Sequence, residues 1–304
     1  MPSTSTEIRT IALVGLGGIG THILRALLAV PSPTNPKVVI LTRPESSKPL
    51  PQDLSASSSL QIIHVDYNNV QALIDVFKTN YVDIVLSTLA RGGLKAQFTL
   101  ADAAKASGTV QLFVPSEWGS ATEGAKERGE KSLFGAKDEF AEYLKSIQLP
   151  YTRIYTGFFL SNLPRIVGID VNDCVNLIGK GETPFSTTSQ ADIGGFTAHV
   201  LTTLPLSSPL LVNQSLRIEG DRLTFLDLAR IFDKPIVSLP KGELVPGKNE
   251  DERHFRTFLQ SEAEEGGASL GWNRLAGREE EGLARNANGL WEGHVWEKVQ
   301  KNED

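Results

Sequence analysis

Three glycines near the start, Gly15, Gly17 and Gly20, sit in the run ALVGLGGIG at the spacing G-x-G-x-x-G. Glycines so spaced let the backbone turn tightly and approach a pyrophosphate. The helix that follows offers its first N–H groups and the positive end of its dipole to the same charge. The motif is weak alone, but here it follows an apolar, β-branched run and opens a helical pattern, the setting it needs. Gly18 and Ile19 complete the loop and are read with it as cofactor contacts. A second group lies at 42–48, where Thr42 and Arg43 precede Ser46, Ser47 and Lys48. An acidic residue at the end of the second strand would accept from a ribose 2′-hydroxyl. A guanidinium fork with an ammonium nearby suits a 2′-phosphate instead. These residues favour NADP(H) over NAD(H).

A third candidate is Lys137. On a helix turning by about 100° per residue, Leu133, Ala136, Phe140, Leu144 and Ile147 share one face, and Asp138, Glu139, Glu142 and Ser146 fall opposite. Lys137 lies inside the apolar arc. A lysine turned toward a sheet loses hydration and gives up its proton more readily, which suits a proton donor or a ribose anchor. Snorkelling along the helix flank is the plainer alternative. The position four residues earlier is Leu133, and no Tyr-x-x-x-Lys occurs in the chain, so tyrosinate-based alcohol–ketone chemistry is disfavoured.

The elements that must carry these residues alternate in type. Short β-branched runs at 11–14, 38–42, 61–65, 82–87, 111–114 and 151–155 read as buried strands. Helical patterns near 18–30, 69–79, 95–107 and 132–147 separate them. This βαβ order predicts an α/β fold, a Rossmann-type doubly wound parallel sheet. Ligands of such sheets bind outside the carboxyl ends of the strands, which adds Ser87, Thr88 and Leu89 after the fourth strand and Pro115 and Ser116 after the fifth. Beyond residue 157 the pattern loosens. A helix is expected over 191–204, with Ser189 and Asp192 as a capping box, and another over 225–232. From Lys241 the chain reads as irregular, anchored by Phe255, Phe258, Trp272, Trp291 and Trp296. The expected division is a cofactor-binding domain over 1–157, with helix 191–204 packing back on it, and a mainly substrate-binding region over 158–304.

A formal charge of -6 with no polybasic run argues against nucleic acid or anionic membrane as partners. No apolar run approaches the roughly 18 residues of a membrane span, and the first ten residues lack a signal-peptide core, so the cytoplasm is the expected location. The one cysteine, Cys174, reads as a small core residue, and the five histidines show no ligand spacing, so no metal is expected. Glu117 is expected to cap backbone in a turn. Nothing in the pattern specifies a homodimer, and the oligomeric state stays open.

Together these pieces resemble the NmrA-like / isoflavone reductase-like family of atypical short-chain dehydrogenases/reductases. The matching segments, in order, are VGLGGIG, LTRP at 41–44, VDY at 65–67, VPSEWG at 114–119, AKDEF around Lys137, PYTRIYTGFF at 150–159 and ADIGGF at 191–196. They span roughly residues 10–205, which is far more specific than the glycine motif. LGWNRL and LWEGHVW near the end look like segments of fungal members. The resemblance implies a Rossmann domain that binds NADPH, with Arg43 at the 2′-phosphate and Gly157, Phe158 and Phe159 beside the nicotinamide. It implies an oxidoreductase acting on a small aromatic molecule, an enone, benzylic ether or related secondary metabolite, with Lys137 as general acid. The glycine loop departs from many such reductases, which carry a Thr before its second glycine where this chain has Leu16. The family also contains proteins that look like non-catalytic NADP(H)-sensing regulators, the alternative for this chain.

Overall fold

The computed structural model describes residues 8–46, 50–54 and 57–300. Its first elements are β1 (Thr10–Val14), α1 (Gly18–Leu28), β2 (Lys37–Thr42), β3 (Leu60–His64), α2 (Val70–Thr79), β4 (Ile84–Ser87), α3 (Ala96–Ser107), β5 (Leu112–Val114), α4 (Leu133–Ser146) and β6 (Thr152–Tyr155). There follow β7 (Phe158–Phe159), the single-turn helices α5 (Leu163–Ile166) and α6 (Ile169–Asn172), β8 (Val175–Leu177), β9 (Phe185–Thr188), α7 (Gln190–Thr203), β10 (Gln214–Arg217), β11 (Asp221–Leu223), α8 (Phe225–Phe232), β12 (Ile236–Ser238) and α9 (Glu250–Glu264). The chain forms two compact units. One runs through Trp118 and takes in Gly124–Ile154 and Ile193–Leu216. The other comprises Gly119–Glu123, Tyr155–Asp192 and the chain from Arg217 on.

The first unit carries a five-stranded sheet in the order β3-β2-β1-β4-β5, parallel throughout, as the βαβ alternation predicts. Every residue of β1, β4 and β5 is buried, because helices cover both faces of a parallel sheet. β3 departs from the expectation of a buried strand: Gln61, Ile62 and His64 are exposed, since β3 is the edge strand. The register pairs Val14 with both Leu41 and Ser87, so the chain leaves β1, β2 and β4 side by side. The strand order reverses between β1 and β4, and such a switch point opens a crevice.

Side-chain caps start α2 and α4. The Asn69 side chain accepts the Ala72 N–H at 3.0 Å to cap α2. Ser132 Oγ accepts the N–H groups of Phe134 and Gly135 to cap α4. Phe140 of α4 then buries its ring against Phe98 and Phe113, with centroids 5.1 and 5.5 Å away. Burial of such a ring contributes about 1.5–3 kcal/mol and fixes the face α4 turns to the sheet. In α7 a Cβ on Gly194 would lie 2.6 Å from the His22 carbonyl, so this helix sits close on α1.

In the second unit, α8 has the full capping box: Thr224 Oγ1 accepts the Asp227 N–H and Asp227 accepts the Thr224 N–H. The box expected at Ser189 is different. Ser189 Oγ accepts the Asp192 N–H, but the Asp192 carboxylate accepts from His294 Nε2 and the Glu297 N–H, both at 2.8 Å. The stretch expected to be irregular contains α9, fifteen residues long. Apolar periodicity does not reveal it because its buried positions are Arg256, Gln260 and Ala263. Gln260 donates to the carbonyls of Ile166 and Asn176 and accepts from the Ile178 N–H. Arg256 grips Asp170 through two bonds of 2.7 and 2.8 Å and reaches Glu252 at 2.8 Å. Cys174 is half-buried, not a core residue.

Candidate active site

The glycine loop is shaped by contacts within the first unit. Gly15 has φ +91°, a left-handed conformation that glycine adopts without strain. Its carbonyl accepts the Thr88 hydroxyl at 2.6 Å, and the same hydroxyl lies 3.2 Å from the Val14 carbonyl. Gly20 must be glycine for a different reason: a Cβ there would lie 2.5 Å from the Gly15 oxygen and 2.6 Å from Thr88 Oγ1. Gly17 and Gly18 are exposed, and a Cβ on either would meet nothing within 4 Å. The loop thus presents an open concave backbone. At the start of α1 the N–H groups of Gly18, Ile19 and Gly20 precede the first intrahelical bond, which the Thr21 N–H makes to Gly17.

A cavity of about 890 Å³ opens beside this loop, lined by Gly15, Thr42, Arg43, Tyr67, Leu89 and Lys95 among others. That is ample for a nucleotide-sized ligand. Arg43 stands exposed at its rim with Nε 3.3 Å from Glu45 Oε1. Thr42 shares a 3.0 Å hydrogen bond with His64 Nδ1. Tyr67 donates to the Leu41 carbonyl at 2.6 Å, and its burial pushes the phenol's pKa well up, so it stays neutral. Lys48, expected beside Arg43, lies outside the described residues. A dinucleotide fits what is present: open backbone at Gly17 and Gly18, a cavity beside the loop and the exposed Arg43 guanidinium in its lining.

The residues at the carboxyl ends of β4 and β5 are buried. Ser87 is fully buried and its carbonyl accepts Trp118 Nε1 at 2.8 Å. Pro115 is buried beside Ser116, whose N–H meets Gln97 Oε1 and whose hydroxyl donates to the Leu89 carbonyl, both at 2.8 Å. Of the residues expected there, Leu89 lines the cavity, and Ser87, Thr88, Pro115 and Ser116 lie buried behind it.

Lys137 lies on α4 with its ammonium donating to the Glu117 carbonyl. Burial lowers its pKa from the ordinary lysine value; the Glu117 carboxylate opposes that shift and the Arg153 guanidinium adds to it. The buried face of α4 is rotated from the one expected. Asp138, assigned to the solvent side, is 5% exposed, while Ala136 is exposed. The cause is Arg153, buried in β6, whose Nη1 donates to Asp138 Oδ1 at 3.0 Å and whose Nε donates to Glu117 Oε1 at 2.8 Å. Glu117 is 2% exposed and forms a core ion pair, where a backbone cap is expected. Charges so placed stay ionised inside a core only when paired.

Gly157, Phe158 and Phe159 belong to the second unit. Gly157 has φ +66° and a Cβ on it would strike the Ser186 carbonyl at 2.2 Å. Phe158 packs its ring against Phe185, centroids 5.3 Å apart, and is a core side chain of that unit; Phe159 is half-buried.

A family model described as the NmrA-like family matches residues 7–248. The chain belongs to the NmrA-like family. An oxidoreductase of Botryotinia fuckeliana is 29% identical over 75% of this chain and 75% of its own. A phenylcoumaran benzylic ether reductase of Pinus taeda is 27% identical over 78% of each chain. Among solved structures, the binary complex of leucoanthocyanidin reductase with NADPH from Vitis vinifera superposes with a TM-score of 0.75 at 19% identity, covering 95% of this chain and 96% of that one. The fold is thus that of the Rossmann reductases.

Sequence reasoning on this NmrA-like chain brings Gly15, Thr42, Arg43 and Leu89 to one cavity. It misses Glu117, Asp138 and Arg153 as a connected group. A signal was present: Arg153 is a charge in the middle of the buried strand TRIY, which demands a buried carboxylate partner. Among the described residues no cluster of His, Cys, Asp and Glu could hold a metal, and no helix is long and apolar enough to cross a membrane.

Proposed function

We propose that this NmrA-like chain is an NADPH-dependent reductase of a small aromatic metabolite, an enone or a benzylic ether, with Lys137 as the proton donor. The observation that carries the reading is Lys137 itself, an ammonium drawn inward and held on the Glu117 carbonyl. A lysine with no chemical task would gain by leaving such a place for water. The substrate class is supported by the relatives' names, which include reductases of phenylcoumaran benzylic ethers and of pinoresinol.

In this reading the loop from Gly15 to Gly20 cradles the pyrophosphate, with Ile19 in the first turn of α1, and Arg43 receives the 2′-phosphate. When bound, the cofactor supplies a hydride to an electrophilic carbon of the substrate. Lys137 gives its proton to the oxygen on which negative charge develops, the carbonyl of an enone or the departing oxygen of a benzylic ether. Its lowered pKa makes the ammonium a stronger acid than a solvated lysine. In this reading the region from 158 on is the mainly substrate-binding part of the chain. The proposal includes a cytoplasmic location and no nucleic-acid or membrane partner.

Two measurements test it. Calorimetric titration with NADPH, NADP⁺ and NADH should rank NADPH first and NADH last. NADPH oxidation with pinoresinol and phenylcoumaran benzylic ethers as probes should vanish in Lys137→Ala while NADPH affinity holds within a few-fold. Tighter NADP⁺ binding with no oxidation of NADPH by any probe would instead mark a regulator.

A further inference from the structure

The buried charges around Lys137 form one connected device. Arg153 reaches from β6 in two directions: to Glu117, whose own carbonyl holds the Lys137 ammonium, and to Asp138, the residue after Lys137 on α4. Asp138 Oδ2 also accepts the Lys126 N–H at 3.1 Å, which fixes the carboxylate from a third side. One guanidinium thereby fixes both ends of the Lys137 contact, the acceptor and the helix turn that carries the donor. Arg is the residue able to do so, since its planar fork serves two carboxylates at once. All three side chains are at most 7% exposed.

We propose that Arg153 is a positioning residue for Lys137, acting through Glu117 and Asp138; the inference rests on the reading of Lys137 as the proton donor. Stability alone is a poor reason for the arrangement, because buried ion groups are commonly matched or exceeded by apolar replacements of similar size. The charge balance has a purpose if Lys137 must exchange a proton. The charged groups acting on its ammonium are the Glu117 carboxylate, which favours the proton, and the Arg153 guanidinium, which disfavours it. Arg153 therefore sets both where the ammonium sits and how firmly it holds its proton.

The test follows the titration of Lys137 directly, in protein carrying ¹³C-lysine, with its ε-methylene signal assigned by its loss in Lys137→Arg. The double variant Arg153→Met/Asp138→Asn removes one charge of each sign and leaves Glu117 acting unopposed. Its Lys137 midpoint should rise by about one pH unit. Should that variant fail to fold, Arg153→Gln carries the test, since it removes the same positive charge and keeps an amide donor for the carboxylates it faces. Its midpoint should rise as well. A merely structural role for Arg153 leaves the midpoint where it is in the wild type. An unmoved midpoint together with an inactive Lys137→Ala variant overturns the positioning role alone. A moved midpoint together with a fully active Lys137→Ala variant overturns the donor reading and with it the catalytic purpose of the grip.

Discussion

Gly20→Ala introduces one methyl group where the structure has no room for it. The new Cβ would lie 2.5 Å from the Gly15 carbonyl oxygen, a backbone atom, and 2.6 Å from Thr88 Oγ1. Neither contact is tolerable, so the Gly15 turn must move away from α1 and the Thr88–Gly15 bond of 2.6 Å must break or lengthen. Overpacking of this kind costs about 1–3 kcal/mol, and loss of the bond about 0.5–1.5 kcal/mol. A destabilisation of about 1.5–4.5 kcal/mol follows from the two together. The same displacement moves the cradle, so NADPH affinity should drop about tenfold or more. Urea unfolding followed by tryptophan fluorescence and circular dichroism gives the first quantity, and calorimetry with NADPH the second. The double variant Gly20→Ala/Thr88→Ala should recover only part of the loss, because the backbone contact remains. Stability within about 0.5 kcal/mol of wild type, a change typical of neutral surface sites, with undiminished NADPH binding would refute the account of the loop.

Arg43→Ala should weaken NADPH by about 10- to 100-fold, the worth of one charged hydrogen bond, while NADH stays within twofold. Equal losses for the two cofactors in parallel calorimetric titrations would remove Arg43 from the 2′-phosphate. Gln260→Leu leaves two carbonyls and one N–H unpaired in the second unit and should cost roughly 2–4 kcal/mol in urea unfolding; a neutral result would show that α9 is held by something else. The Glu252 carboxyl is held down to about 2 by hydrogen bonds from Arg165, Arg256 and the Lys248 N–H. A carboxyl depressed on folding stabilises above its unfolded value of 4.5 and loses that contribution as pH falls from there toward 2. Melting temperatures measured from pH 6 to pH 2.5 should therefore fall less steeply for Glu252→Gln than for the wild type.

The fold of the first unit was legible because its signals agree at several levels. β-branched runs, a glycine turn and helical periodicity all specify one arrangement from β1 to α4. The edge position of β3 was not, since a run such as LQIIH looks the same whether one face or both are covered. At the site, residues recognised by backbone demands were legible: Gly15 and Gly20 answer to φ and to close approach, properties of the residue type itself. Asp138 was misplaced because helical-wheel reasoning sends a carboxylate to solvent unless a buried cation is known to await it, and Arg153 comes fifteen residues later on another element. α9 was overlooked for the same reason. Its Asn249 cap and acidic first turn were visible, but the face it buries is made of Arg256 and Gln260.

The Thr88–Gly15 bond has a thermodynamic consequence for ligand recognition. The curvature of the glycine loop is maintained by the Thr88 side chain, just after β4, and by the absence of a side chain at Gly20, both intrinsic to the polypeptide. A loop held by its own chain has little conformational freedom left to surrender when a pyrophosphate docks. Association through this loop should accordingly show a small entropic penalty of ordering, and exchange of the Gly15–Gly20 amides with solvent deuterium should slow through direct shielding by the ligand and not through a change of local structure.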